Sequence, residues 1–131
     1  MHVLSHKLAE FLVDRINERV PAPFVLRADN GRVHVHAGDE LWFVSHGLSI
    51  VDEDDGRTLG QRLETAVRAL LNSVQDVVMR HFHIQWPTDS SGSLAVAGAR
   101  MTGDFVDLWY GPSEERAVIR FRQIPLKQVT S

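Results

Sequence analysis

The residues with the most chemical reach in this chain are histidines. There are seven, and four of them form two His-x-His pairs, His34/His36 and His81/His83. On a strand, residues two apart share a face, so His34 and His36 could chelate one transition metal. Neutral imidazole suits zinc, copper or nickel. The same pair also fits a plain polar outer face beside Arg27. His81 and His83 fall at the expected end of a helix, where residues two apart diverge. The partial negative end of a helix suits a histidine there without any ligand.

Other motifs carry less. The acidic run Asp52–Asp55 is followed by Gly56 one position too early for an EF-hand loop, and so reads as a solvated turn. Gly98 and Gly103 have the spacing of a phosphate loop, but Asp104-Phe105 stands where Lys-Ser/Thr would be needed. No G-x-G-x-x-G, G-x-S-x-G or H-E-x-x-H occurs. Ser5-His6 and Ser45-His46 place hydroxyl beside imidazole only in sequence, whereas a catalytic pair must meet in space. With no cysteine, disulfides and thiolate metal sites are excluded. The motifs name no catalytic residue and no cofactor, which leans away from an enzyme.

Three tryptophans remain, Trp42, Trp86 and Trp109. Large aromatics are routine in cores and enriched at interaction surfaces. Trp86 before Pro87 reads as a plug for a helix end. Trp42 shares a strand face with Val44, and the reading extends that face across the sheet to Val25, giving a partner-binding patch of Trp42, Val44 and Val25. Arg116, Arg120, Arg122 and Lys127 give the last strand a basic edge, which either discourages aggregation or meets an acidic partner.

These side chains need elements to hold them. Leu8, Phe11, Leu12, Ile16 and Val20 recur at helical spacing, predicting a helix over 5–20 capped by Ser5. Pro21 and Pro23 end it. Phe24–Asp29 and Arg32–Ala37 flank Asn30-Gly31, the signature of a type I′ hairpin. That turn pairs Asp29 with Arg32, Ala28 with Val33 and Leu26 with Val35, with apolar residues on one side. A third strand follows over Leu41–Ser45, then a short extended piece over Leu48–Val51. Thr58 and Gln61 form a capping box for a long helix to about His83, whose apolar stripe runs from Leu59 to Phe82. A polar loop, 87–93, separates it from three strands, Leu94–Met101, Asp104–Tyr110 and Arg116–Ile124. The tail from Pro125 is expected to fray.

The fold class is therefore α+β, order α-β-β-β-α-β-β-β: an antiparallel sheet of about six strands with an N-terminal helix and one long central helix packed on it. At 131 residues this reads as a single domain over 1–131. The element order is similar to that of the dimeric chaperones of bacterial secretion systems, which wrap strands around one long helix. The likeness is of order alone, with no residue motif behind it. The net charge of −3 lacks the basic excess usual for nucleic-acid binding. No apolar run is long enough to span a membrane, and the N-terminus lacks a signal-peptide core. The expectation is a cytoplasmic, non-catalytic protein-interaction module, an adaptor or chaperone-like protein that is homodimeric or binds another protein. The alternatives are a small-ligand or metal-binding protein using His34 and His36, and an enzyme of unrecognised type.

Overall fold

Local sequence rules place most elements. In the computed structural model, which describes residues 4–44 and 48–130, helix α1 runs Leu4–Asn17 and buries Leu8, Leu12 and Ile16. Its N-terminal cap comes from a distant residue: the Asp52 carboxylate accepts from the main-chain N–H of Leu4 at 2.7 Å and of Ser5 at 3.3 Å. That replaces the hydroxyl cap expected of Ser5 and gives part of the acidic run its role, because exposed helix N–H groups favour a carboxylate. Asp55 in the same run pairs with Arg57, whose hydrogen bond holds that carboxyl below its usual range.

Strands β1 (Val25–Asp29) and β2 (Arg32–Ala37) pair in the expected register, Asp29 with Arg32 and Leu26 with Val35. Asn30 and Gly31 both have positive φ, as a type I′ turn demands. Phe24, Leu26, Val33, Val35 and Ala37 are buried. Strand β3 (Glu40–Phe43) completes a three-stranded sheet in the order β1-β2-β3. The piece after it is a 3-10 helix, Leu48–Asp52, not an extended segment. Leu48 and Val51 are buried three apart, a spacing that one helical turn aligns and a strand would split between faces.

Helix α2 (Leu59–Phe82) begins on the expected capping box and ends on His83 in the left-handed conformation. Its stripe from Leu63 to Val78 is buried. A second antiparallel sheet follows, β4 (Ala97–Thr102), β5 (Phe105–Tyr110), β6 (Ile119–Arg120) and β7 (Ile124–Pro125). The seven strands thus form two sheets of three and four, not one. Strand β5 is central, with β4 on one edge and both β6 and β7 on the other. The expected single strand Arg116–Ile124 is split because its register against β5 advances by one residue between Phe121 and Ile124, the signature of a β-bulge. The tail is not frayed: it forms helix α3 (Leu126–Thr130), with Val129 buried and packed against α1.

Helix α2 lies on β4 and β5, while α1 covers the inner side of the hairpin. Near the end of α2, Phe24 meets His81 and Phe82 edge to face, and Trp42 meets His81 in the same way. The buried apolar residues of both sheets and all three α-helices form one connected core. Between α2 and β4 the polar loop is drawn together by Asp89, which accepts from the N–H groups of Ser91 and Ser93. No helix of the described residues is long and apolar enough to cross a membrane.

Candidate functional site

Two chemistry-bearing regions of the sequence turn out to be structural. Gly98 lies opposite Trp109, and a Cβ there would sit 2.4 Å from the indole, so this glycine seats a tryptophan ring rather than a phosphate. Gly103 serves the β4–β5 turn with a φ of 59°. Asp107 is buried and accepts from the Thr102 hydroxyl at 2.5 Å and the Gln123 amide at 2.7 Å. Burial would raise its pKa, but these hydrogen bonds win and hold it below the ordinary range. The bulge that splits β6 from β7 turns Gln123 so that its carbonyl also receives the Arg15 guanidinium. The basic edge is largely satisfied within the chain. Arg122 is clamped by Asp14 and Glu18, and Arg120 donates to the Glu114 carbonyl. Trp86 stacks on Tyr110 at 5.3 Å, and Trp109 is buried.

His81 and His83 diverge. His81 packs half-buried against the aromatic cluster with its Nδ1 4.0 Å from the Glu40 carboxylate, and His83 caps α2 in the left-handed region. Ser45-His46 lies outside the described residues. His34 and His36 do share the outer face of β2, ring centroids 6.1 Å apart. His34 also meets Phe43 edge-on at 4.8 Å. The Nε2 of His36 is shielded from solvent without a hydrogen-bond partner. Among the described residues no group of three His, Cys, Asp or Glu is placed to hold a metal.

The expected patch of Trp42, Val44 and Val25 is not one face. The turn at Gly38-Asp39 pairs Ala37 with Glu40, so Trp42 lies opposite Val35 and Leu41 opposite His36. Gly38 alone has positive φ, which matches a type II′ turn with glycine first. Val35 faces the core, so Trp42 and Val44 face it too: Val44 is buried and Trp42 packs against the core cluster. Val25 stays outside. The residues that sequence reasoning missed are Leu41 and Phe43, 47% and 54% exposed beside Val25 at 43%. The Gly-Asp loop, read as a two-residue turn, would have revealed them.

The outer face therefore consists of two rows. One is Val25–His36–Leu41, the other Arg27–His34–Phe43. Its two edges differ. At β1, the Asn17 side chain of α1 accepts from the Leu26 N–H at 2.7 Å and donates to the Leu26 carbonyl at 2.9 Å. One amide thus imitates a neighbouring strand at Leu26 and blocks the middle of that edge. At β3, the Val44 N–H donates to Val33, so by the alternation of an antiparallel ladder Trp42 and Glu40 also point their main chain inward. The main-chain groups of Leu41 and Phe43 point out and meet no partner among the described residues.

Compared with protein-family models, with curated proteins and with solved structures, the chain matches none.

Proposed function

We propose that the chain is a non-catalytic protein-interaction module, adaptor or chaperone-like and working in the cytoplasm, that docks through the outer face of its β1–β3 sheet. The observation that carries this reading is the coincidence of Val25, Leu41 and Phe43, all exposed, on one face bounded by an open strand edge. Apolar residues scattered singly need no explanation, but Leu41 and Phe43 are neighbours on this face, with Val25 in the row of Leu41 beyond His36, and such a grouping marks a contact surface. The absence of cysteine from the chain suits a reducing compartment. The test is recovery of proteins bound to the tagged chain in its native host, against the variant Leu41→Glu/Phe43→Glu. Loss of the bound proteins, at unchanged circular dichroism and melting temperature, is expected. Equal recovery by the variant would refute the assignment of this face.

A second reading rests on the unpartnered Nε2 of His36 beside His34. The pair would supply two imidazole ligands to zinc or nickel, with water completing the shell. Titration calorimetry with either ion should then show micromolar binding that His34→Ala removes. A flat titration sinks it.

A further inference from the structure

We infer that the open edge of β3 is completed by β3 of a second copy of this chain, so that two three-stranded sheets join into one continuous antiparallel sheet across a two-fold axis. This deepens the interaction reading and rests on it.

The geometry selects both the edge and the register. The two edges of this sheet are unequal: on β1 Asn17 already occupies the hydrogen-bonding groups of Leu26 and leaves only those of Ala28, whereas β3 offers two residues in a row. On β3, Leu41 and Phe43 present outward main-chain groups and exposed apolar side chains together. A symmetric antiparallel pairing centred on Trp42 places Leu41 opposite Phe43 of the second copy, and Phe43 opposite its Leu41. Each such pair exchanges its main-chain bonds in the close hydrogen-bonded geometry. Each also sets an aliphatic side chain against an aromatic one on the outer face, a favourable cross-strand match. Glu40 then faces Val44 of the second copy rather than another glutamate. Sliding the centre to Leu41 would set Asp39 against Phe43 and leave half of the open groups unused.

Charge supports the same arrangement. The start of β3 carries Asp39 and Glu40, the latter on the inner side beside His81, whereas the rows at and beyond its end carry Arg27 and, opposite Asp29, Arg32, so the start is acidic and the end carries a net positive charge. An antiparallel mate brings the acidic end of one copy beside the basic end of the other, so the edge is complementary to itself. An extended peptide from another protein could use the same hydrogen bonds, but it would have to supply this charge order independently.

Such a contact is small, at the low end of specific interfaces, so the test spans a wide concentration range. Sedimentation equilibrium from low micromolar to near-millimolar protein should show a reversible monomer–dimer equilibrium that Phe43→Glu shifts at least tenfold toward monomer. Amide exchange at Leu41 and Phe43 should slow as concentration rises, while Leu26, already bonded to Asn17, does not change. The chain has no cysteine, so register can be read directly. A mixture of Leu41→Cys and Phe43→Cys proteins should cross-link with a short bifunctional thiol reagent more efficiently than either protein alone. A wild-type monomer throughout the range, or a dimer whose Leu41 and Phe43 amides exchange freely, overturns the proposal. If the wild type is monomeric yet still retains a host protein that Leu41→Glu/Phe43→Glu loses, self-pairing fails and the interaction face stands. If that retention is also insensitive to the substitutions, both fail together.

Discussion

The two sheets of this molecule solve opposite problems. The β4–β7 sheet puts β5 at its centre and buries Val106 through Tyr110 without a break. Val106, Leu108 and Tyr110 turn toward α2, and the Tyr110 hydroxyl donates to the Leu71 carbonyl of that helix at 2.5 Å. On the reverse face Trp109 lies over Gly98 with the Arg100 guanidinium 5.9 Å from its ring. The β1–β3 sheet is covered on one side only, and its other side carries its most exposed aromatic residue, Phe43. A strand apolar on both faces is ordinarily covered on both. Strand β5 obeys that rule inside one chain; β3 obeys it only if something else supplies the cover. The difference separates residues selected by packing from residues left available for contact.

The sharpest way to break this contrast is to cut the covered sheet. Leu108 is 1% exposed, and Leu108→Ala should cost about 2–5 kcal/mol through lost burial and the cavity left behind. Denaturant unfolding followed by circular dichroism would show a lower midpoint at unchanged slope. A cost below 1 kcal/mol would mean that β5 is not the packed centre described.

Next comes the closed edge of the open sheet. Asn17→Ala removes both hydrogen bonds to Leu26 and leaves its main-chain groups without their partner. A loss of about 1–3 kcal/mol is expected, together with faster exchange of the Leu26 amide. If the edge is truly blocked only by Asn17, this variant should also self-associate more readily than the wild type. A stable variant with a slow Leu26 amide would show that another group covers β1.

Tyr110 offers a smaller and cleaner effect. Burial, followed by the charge of Asp76, pushes its phenol well above the ordinary range. It is the sole tyrosine, so the tyrosinate absorbance band that appears on ionisation reports on it alone. No tyrosinate should form until the protein unfolds. Because the folded pKa is raised, its contribution is intact below the unfolded value of about 10 and declines as pH climbs past it. Tyr110→Phe should remove that alkaline slope and cost about 1 kcal/mol at neutral pH. Smooth tyrosine ionisation near pH 10 in folded protein would contradict the burial described.

Much of this architecture was legible where a local rule had no competitor. Asn30-Gly31 fixed the hairpin register because both residues tolerate positive φ. Thr58 and Gln61 fixed the start of α2 by mutual hydrogen bonds. What stayed hidden depended on partners distant in sequence. Asp52 caps a helix 47 residues away, and Asn17 closes a strand edge that no periodicity announces. The bulge at Gln123 depends on Arg15 and Asp107 together. The candidate face was half legible. Val25 and the two histidines lie on the outer side as their alternation predicts, but the faces of β3 are the reverse of the expected ones because the Gly38-Asp39 turn pairs Ala37 with Glu40. A one-residue difference in register moves every side chain of a strand to the other face. That is how Trp42 and Val44 came to be expected outside and Leu41 and Phe43 inside.

The smallest expected effect tests the contrast from the other side. Phe43 is an aromatic residue that the monomer hardly uses: it touches His34 and is more than half exposed. Phe43→Ser should therefore change folding stability by no more than about 0.5 kcal/mol at low micromolar concentration, where the proposed dimer would be dissociated. The same substitution should cost more as concentration rises, because burial in the proposed dimer would add to the stability of the wild type by mass action and the variant would lack it. The discriminating quantity is therefore the concentration dependence of the melting temperature. It should be present for wild type and flat for Phe43→Ser, with the two curves meeting on dilution. A large destabilisation that persists at the lowest concentration would mean that Phe43 belongs to the core of its own chain, and the asymmetry between the two sheets would disappear.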